Sequence, residues 1–252
     1  MKTAGIDLAT TNANTAVCVV HWSETGVCAG FRDDTSDDGL IQICRDVTVD
    51  KVGIDCPFGW PASFVAAIGA HALGQMWPGR GHPDPVAFRK TLAYRLTDVR
   101  VKENVPGAAP LAVATDKLGH TAMRCALLLD ALGSVDRSGR HGRVAEVYPA
   151  ASLRTWRLHL LKPKGLEVIL EELERLLPTL RFQPGARARC IANDHAFDAL
   201  ICALTARAVA TGRTVLPVTA DSRRASAMRT VQSPSSSVTT SPTGSPRTAA
   251  AK

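Results

Sequence analysis

"AGIDLATT", residues 4–11, places a carboxylate in the middle of what otherwise reads as a buried strand. Ile6 and Leu8 are apolar strand formers, whereas aspartate is depleted in strands, and taking an unpaired carboxylate out of water is costly. Asp7 therefore needs a partner that compensates it. The Gly-Ile-Asp triplet recurs in "VGIDCPFGWP", residues 52–61, inside a second short apolar run that Pro57 and Gly59 bring to an end. One buried aspartate is an isolated feature; two in the same local setting point to a shared purpose.

Outward from these triplets, the sequence reads as strands over 3–9, 15–22 and 26–33, a helix over about 37–47, and a strand over 51–56. Turn residues from Ser23 to Gly26 make the second and third strands a hairpin, and the strand after the helix is expected to run parallel to one of them. The stretch 58–141 changes character. "MWPGRGHPDP" is dense in Gly and Pro, and from Arg80 to Lys102 six basic residues (80, 89, 90, 95, 100, 102) stand against Asp84 and Asp98. It reads as an insertion, mostly helical and loop. A strand returns at "GRVAEVYP" (142–149). The stretch "KGLEVILEELERLLPTL" carries a helical stripe of Leu166, Ile169, Leu170, Leu173, Leu176 and Leu177. The last strong element is "NDHAFDALICALTARAVATG", with Asn193 at its N-cap and Gly212 at its end. Beyond it, residues 213–252 form a basic, Ser/Thr/Pro-rich tail that cannot bury a core and is expected to be disordered.

Of the formal charge of +7, about +5 lies in that tail, where six Lys/Arg face one Asp, so the body carries only about +2. Charge alone is weak support for a nucleic-acid partner. The seven cysteines form no C-x-x-C pair and no Cys/His metal spacing, and sit mostly at apolar positions, as reduced core residues do. No window approaches the roughly 18 apolar residues of a membrane span, and the start lacks the pattern of a secretion signal. The expectation is a cytoplasmic protein with no membrane partner.

Asp194 and Asp198 are four apart on the last helix and so share a face, beside the apolar stripe Phe197, Ile201, Leu204 and Ala208. Like charges at that spacing repel, and a divalent cation would turn the repulsion into attraction. Glu146, in "AEVYPAA", adds another acid near a strand end. Two strand carboxylates and a helix carboxylate can converge at one end of a sheet as hard oxygen ligands, which suit Mg²⁺ or Mn²⁺ and not zinc. Two such ions roughly 3.5–4 Å apart can activate water and stabilise the leaving oxygen in phosphodiester cleavage.

Together, "GIDLA", "GIDCPFGWP", "FRKTLAYRLTD", "EVYPAA" and "NDHAFDALICALTARAVATG" resemble the family catalogued as domain of unknown function 429 (DUF429), whose members are predicted RNase H-like nucleases. The resemblance covers roughly residues 3–212. It implies an α/β, ribonuclease H-like fold, with helices on both faces of a mixed sheet led by a three-stranded meander. It also implies carboxylates from the first strand, the fourth strand and the terminal helix, matched here by Asp7, Asp55 and Asp198 or Asp194. On this reading Asp7, Asp55 and Asp198 are catalytic, and Asp194 and Glu146 join them as metal ligands. The family's R-x-T-D element is matched by Arg95, Thr97 and Asp98, and its E-x-Y-P element by Glu146, Tyr148 and Pro149, as residues near the site. Arg95, Asp98, Arg89 and Lys90 are the expected substrate-binding residues, with nucleic acid as partner. The chain departs from the family after the last helix, where "RTVLPVTADSRRASAMRTVQSPSSS" replaces a short segment ending near Trp and Pro.

Two other functions compete with a nuclease. An ATP-binding protein of the actin and sugar-kinase class also begins with an Asp-bearing strand and a Thr-rich turn. Ala9, however, stands where a phosphate-cradling turn favours Gly, and the chain is short for two such domains. The other competitor is a non-catalytic nucleic-acid-binding or regulatory module, in which the acids only shape a surface; metal-dependent stabilisation separates it from a nuclease.

Overall fold

The two Gly-Ile-Asp triplets lie side by side. In the computed structural model, which describes residues 1–114, 118–133, 136, 139 and 141–214, strand β1 (Lys2–Asp7) runs parallel to β4 (Lys51–Asp55). Their register pairs Gly5 with Gly53, Ile6 with Ile54 and Asp7 with Asp55. On its other side β1 pairs antiparallel with β2 (Ala16–Trp22), which pairs antiparallel with β3 (Val27–Arg32). Strand β5 (Val144–Val147) adds to β4 in parallel, and β6 (Leu180–Phe182) adds to β3 in parallel. The result is a six-stranded mixed sheet in the order β5-β4-β1-β2-β3-β6. The protein is α/β, with the expected meander at the start of the chain.

Helices cover both faces. Alternation along β1 sends Ala4 and Ile6 to one side, where they meet Leu40, Ile43 and Cys44 of α1 (Asp37–Arg45) together with Cys125, Leu128 and Leu129 of a later helix, Gly119–Ala131. Ser36 caps α1 by accepting from the Gly39 amide, and Asp37 and Asp38 complement its N-terminal dipole. Among the described residues, the stretch between β4 and β5 holds four helices: α2 (Ala62–Ala72), α3 (Pro85–Ala93), α4 (Leu96–Asn104) and α5 (Gly119–Ala131). The expected insertion, 58–141, is thus not peripheral throughout, because α5 carries core residues of the sheet. The other face is covered by α6 (Pro149–Thr155), α7 (Leu166–Leu176), α8 (Ala186–Ala192) and α9 (Asp194–Ala210). In α9, Ala196, Phe197 and the unbroken run Ala199–Leu204 are buried, so this helix is apolar almost all round and sits deepest in the fold.

The leucine stripe of 164–180 does not remain helical to its end. The helix stops at Leu176, Pro178 follows, and Leu180 enters the three-residue edge strand β6, which the stripe disguised. All seven cysteines are free, and all but Cys28 are buried. Among the described residues no helix is long and apolar enough to cross a membrane. From residue 215 onward, the tail expected to be disordered lies outside the described residues.

Candidate metal centre

The glycines of the two triplets explain how a helix carboxylate reaches the strand carboxylates. Gly5 and Asp7 face the same side of β1, toward α9, where the Thr3 hydroxyl donates to the Ala203 carbonyl at 2.8 Å. A Cβ on Gly5 would overlap the backbone of Ala199 and Ala203, and one on Gly53 would stand 2.6 Å from the Cys202 carbonyl oxygen. Only hydrogen at both positions lets α9 lie directly on β1 and β4. Immediately before Ala199, and one turn before Cys202, α9 carries Asp198. Asp7, Asp55 and Asp198 each offer an oxygen such that the three atoms lie within 4.8 Å of one another.

Of the two helix acids, the structure brings Asp198 to the cluster. Asp194 is exposed in the first turn, four residues nearer the N-terminus, although its charge is still felt at Asp198. Glu146 stands beside the cluster, on β5 opposite Ile54, and its carboxylate is otherwise engaged. It accepts from Arg95 Nη1 at 2.9 Å and Nη2 at 2.7 Å, and its Oε2 also accepts the Phe58 amide at 2.9 Å. Arg95 is turned inward with them. It donates to Asp98 through Nη2 at 2.6 Å and Nε at 3.1 Å, and Asp98 in return accepts the Arg95 amide at the start of α4. The expected substrate-binding residues Arg95 and Asp98 form a largely buried ion pair, with side chains 13% and 7% exposed. Arg89 and Lys90 are exposed on α3.

A family model described as "Protein of unknown function (DUF429)" matches residues 5–222, a span that holds every element from the end of β1 to α9. The chain belongs to this family. No curated protein and no solved structure matches it. The site must therefore be understood from its own chemistry.

That chemistry is dominated by crowded negative charge out of water. Burial pushes Asp55 well above the ordinary carboxylate range, and the charges of Asp7, Asp198 and Glu146 push in the same direction. Burial is also the main cause that lifts Asp198 to about 7, helped by Asp7 and opposed by Lys162 and His195. Asp7 is raised by burial too, but less freely, because His195 Nδ1 lies 2.6 Å from its Oδ2 and favours the ionised form. His195 is the site residue the sequence reading missed. It sits between the two helix aspartates in "NDHAFD", and its place three residues before Asp198 was the available signal. Among the described residues, no Lys, Arg or His forms an ion pair with Asp55 or Asp198.

Proposed function

We propose that this protein is a metal-dependent nuclease of RNase H-like architecture, hydrolysing phosphodiester bonds of nucleic acid. The observation that carries the reading is the convergence of Asp7, Asp55 and Asp198 within 4.8 Å, Asp7 buried and the other two half-buried, with no ion pair to Asp55 or Asp198 among the described residues. A hard divalent cation fits this donor set, because every ligand atom is a carboxylate oxygen and the uncompensated charge calls for one. Asp7, Asp55 and Asp198 would hold Mg²⁺ or Mn²⁺, which when bound supplies Lewis-acid activation of water and stabilisation of the leaving oxygen.

The chain's own residues do the rest. His195 orients the Asp7 carboxylate through its Nδ1 contact with Oδ2. The raised proton affinities of Asp55 and Asp198 mean that cation binding must displace protons, so the centre loads more readily above about pH 7 than below it. Exposed Arg89 and Lys90 on α3, with Arg80 and Lys102 on the same inserted stretch, supply charge for phosphates, and Tyr94, 42% exposed, offers a face for a base. The order of elements supports the architecture: a meander, a helix, then parallel β4 and β5, with acids at the ends of β1 and β4 and on the last helix.

The test is cleavage of single-stranded, duplex, hybrid and junction substrates with Mg²⁺, with Mn²⁺ and with chelator. Cleavage that requires metal and is abolished by Asp7→Asn is expected, because the amide keeps the shape and removes the charge. A folded Asp7→Asn protein that cleaves as well as the parent refutes the reading.

A further inference from the structure

Arg95, Asp98, Glu146 and the Phe58 amide form one connected unit that the proposed chemistry does not use. Its members come from three places in the chain: the start of α4, the strand β5, and the turn that leaves β4. Glu146 and Arg95 are 51 residues apart, and their contact is a two-pronged ion pair with Arg95 mostly buried. The same guanidinium grips Asp98 with a second pair of bonds, so its donors are divided between two carboxylates. Such an arrangement costs desolvation, and replacing a buried ion network by apolar residues is often neutral or stabilising. Something other than stability therefore accounts for it.

The location supplies the reason. Phe58 is three residues after Asp55, and between them lie only Cys56, whose amide turns back to the Ile54 carbonyl at 3.0 Å, and Pro57. By accepting the Phe58 amide, Glu146 fastens the far end of the turn on which Asp55 stands. Arg95 in turn fixes both Glu146 oxygens, which leaves that carboxylate one orientation. The guanidinium fork is what permits this, since a lysine ammonium of equal charge cannot bridge both acids in a plane.

We infer that Arg95, acting through Glu146 and the Phe58 amide, is a positioning residue that sets where Asp55 presents its carboxylate to the divalent cation. The inference rests on the metal centre of the proposed function, and it makes Glu146 an outer partner of Asp55 and not a ligand. It also couples α4, and with it the basic inserted segment, to the strand end that carries Asp55. The influence of the Glu146 charge on Asp55 is consistent with their closeness.

Mn²⁺ binding to the full chain, followed by isothermal titration and by the electron paramagnetic resonance signal of free Mn²⁺, tests this without reference to activity. Arg95→Lys preserves the net charge of the unit and removes the fork, so an effect of charge alone predicts unchanged affinity. Positioning predicts a loss of about tenfold or more, the usual consequence of removing an outer partner of a metal ligand. Should Arg95→Lys fail to fold, Glu146→Gln is compared with Asp194→Asn, each of which removes one negative charge near the cluster. Positioning requires the Glu146→Gln loss to exceed the Asp194→Asn loss by about tenfold. Combining Arg95→Lys with Glu146→Gln should add little to either alone, because the two act as a unit. Folded Arg95→Lys protein that binds Mn²⁺ within twofold of the parent overturns the inference, as does equal loss in the Glu146 and Asp194 variants. Failure of the parent itself to bind Mn²⁺ overturns the metal centre, and this inference with it; binding by the parent with unchanged variants overturns this inference alone.

Discussion

Asp198→Asn should make the metal-free protein more stable at alkaline pH and leave it nearly unchanged at acidic pH. In the unfolded chain Asp198 releases its proton near 3.8, whereas in the folded chain burial and the charge of Asp7 hold it until about 7. Between those values the folded state carries a proton that the unfolded state has lost, so raising the pH drains stability. The contribution is fully present below about pH 4 and gone above about pH 7. Moving the midpoint from 3.8 to about 7 is worth about 4 kcal/mol at 1.36 kcal/mol per pH unit. This is an upper value, because Asp7, Asp55 and Asp198 titrate as a coupled group and because a buried amide must satisfy its own hydrogen bonds. A gain of about 2–4 kcal/mol at pH 8 therefore remains for the asparagine variant, or roughly 10 °C in melting temperature for a chain of this size. Urea denaturation in chelator from pH 4.5 to 8.5 measures it: the parent curve should fall as pH rises and the variant curve should stay flatter. A variant that is destabilised equally at both ends of the range would mean that Asp198 holds a structural hydrogen bond and that the electrostatic account of the cluster is wrong.

Other outcomes follow from the same geometry. Mn²⁺ at a hundredfold excess over its dissociation constant should stabilise the parent by about 2.7 kcal/mol, reversed by chelator; a chelator-insensitive melting curve would contradict the metal centre. Gly53→Ala puts a methyl 2.6 Å from the Cys202 carbonyl oxygen and 2.8 Å from Val147 Cγ2, so α9 must shift. A loss of about 3 kcal/mol or more in urea denaturation is expected, with weakened Mn²⁺ binding, and a neutral substitution would show that the helix–sheet contact is loose. Deleting residues 225–252, which are rich in Ser, Thr and Pro, should leave the melting temperature unchanged, and a clear drop would show that this segment docks.

Much of this arrangement was legible because it rests on local pattern. Strand alternation around Asp7 and Asp55, the capped start at Asn193 and the turn at Ser23–Gly26 are short-range signals, and each corresponds to an element within a few residues. The Gly-Ile-Asp echo was visible too, but its glycines had no evident purpose. Their role is to admit the backbone of α9, a constraint written in residues far along the chain, Ala199 to Ala203 for Gly5 and Cys202 for Gly53. Asp198 and Asp194 could not be told apart by spacing alone, since both lie on one helix face. What separates them is how far along α9 the close approach occurs, and Ala199, Cys202 and Ala203 mark that point.

Charge pattern was the poorer guide, and Arg95 shows why. In sequence it belongs to a basic run whose other members, Arg80, Arg89, Lys90, Arg100 and Lys102, are exposed, and a solvent-facing phosphate contact was the natural expectation. Nothing within a helical turn except Asp98 distinguishes it. Its second partner, Glu146, is 51 residues away, across α5 and the start of β5. Glu146 shows the complementary side: an acid at a strand end beside two others reads as a ligand, and only the folded chain reveals that its oxygens also accept from Arg95 and the Phe58 amide. Local rules assign each charged residue to solvent or to a site, whereas a buried pair belongs to neither and becomes visible only when the chain has closed. The same logic applies to His195. Beside Asp194 it resembles an ordinary residue of an exposed first turn, and it becomes a site residue only because β1 delivers Asp7 to within 2.6 Å of its ring.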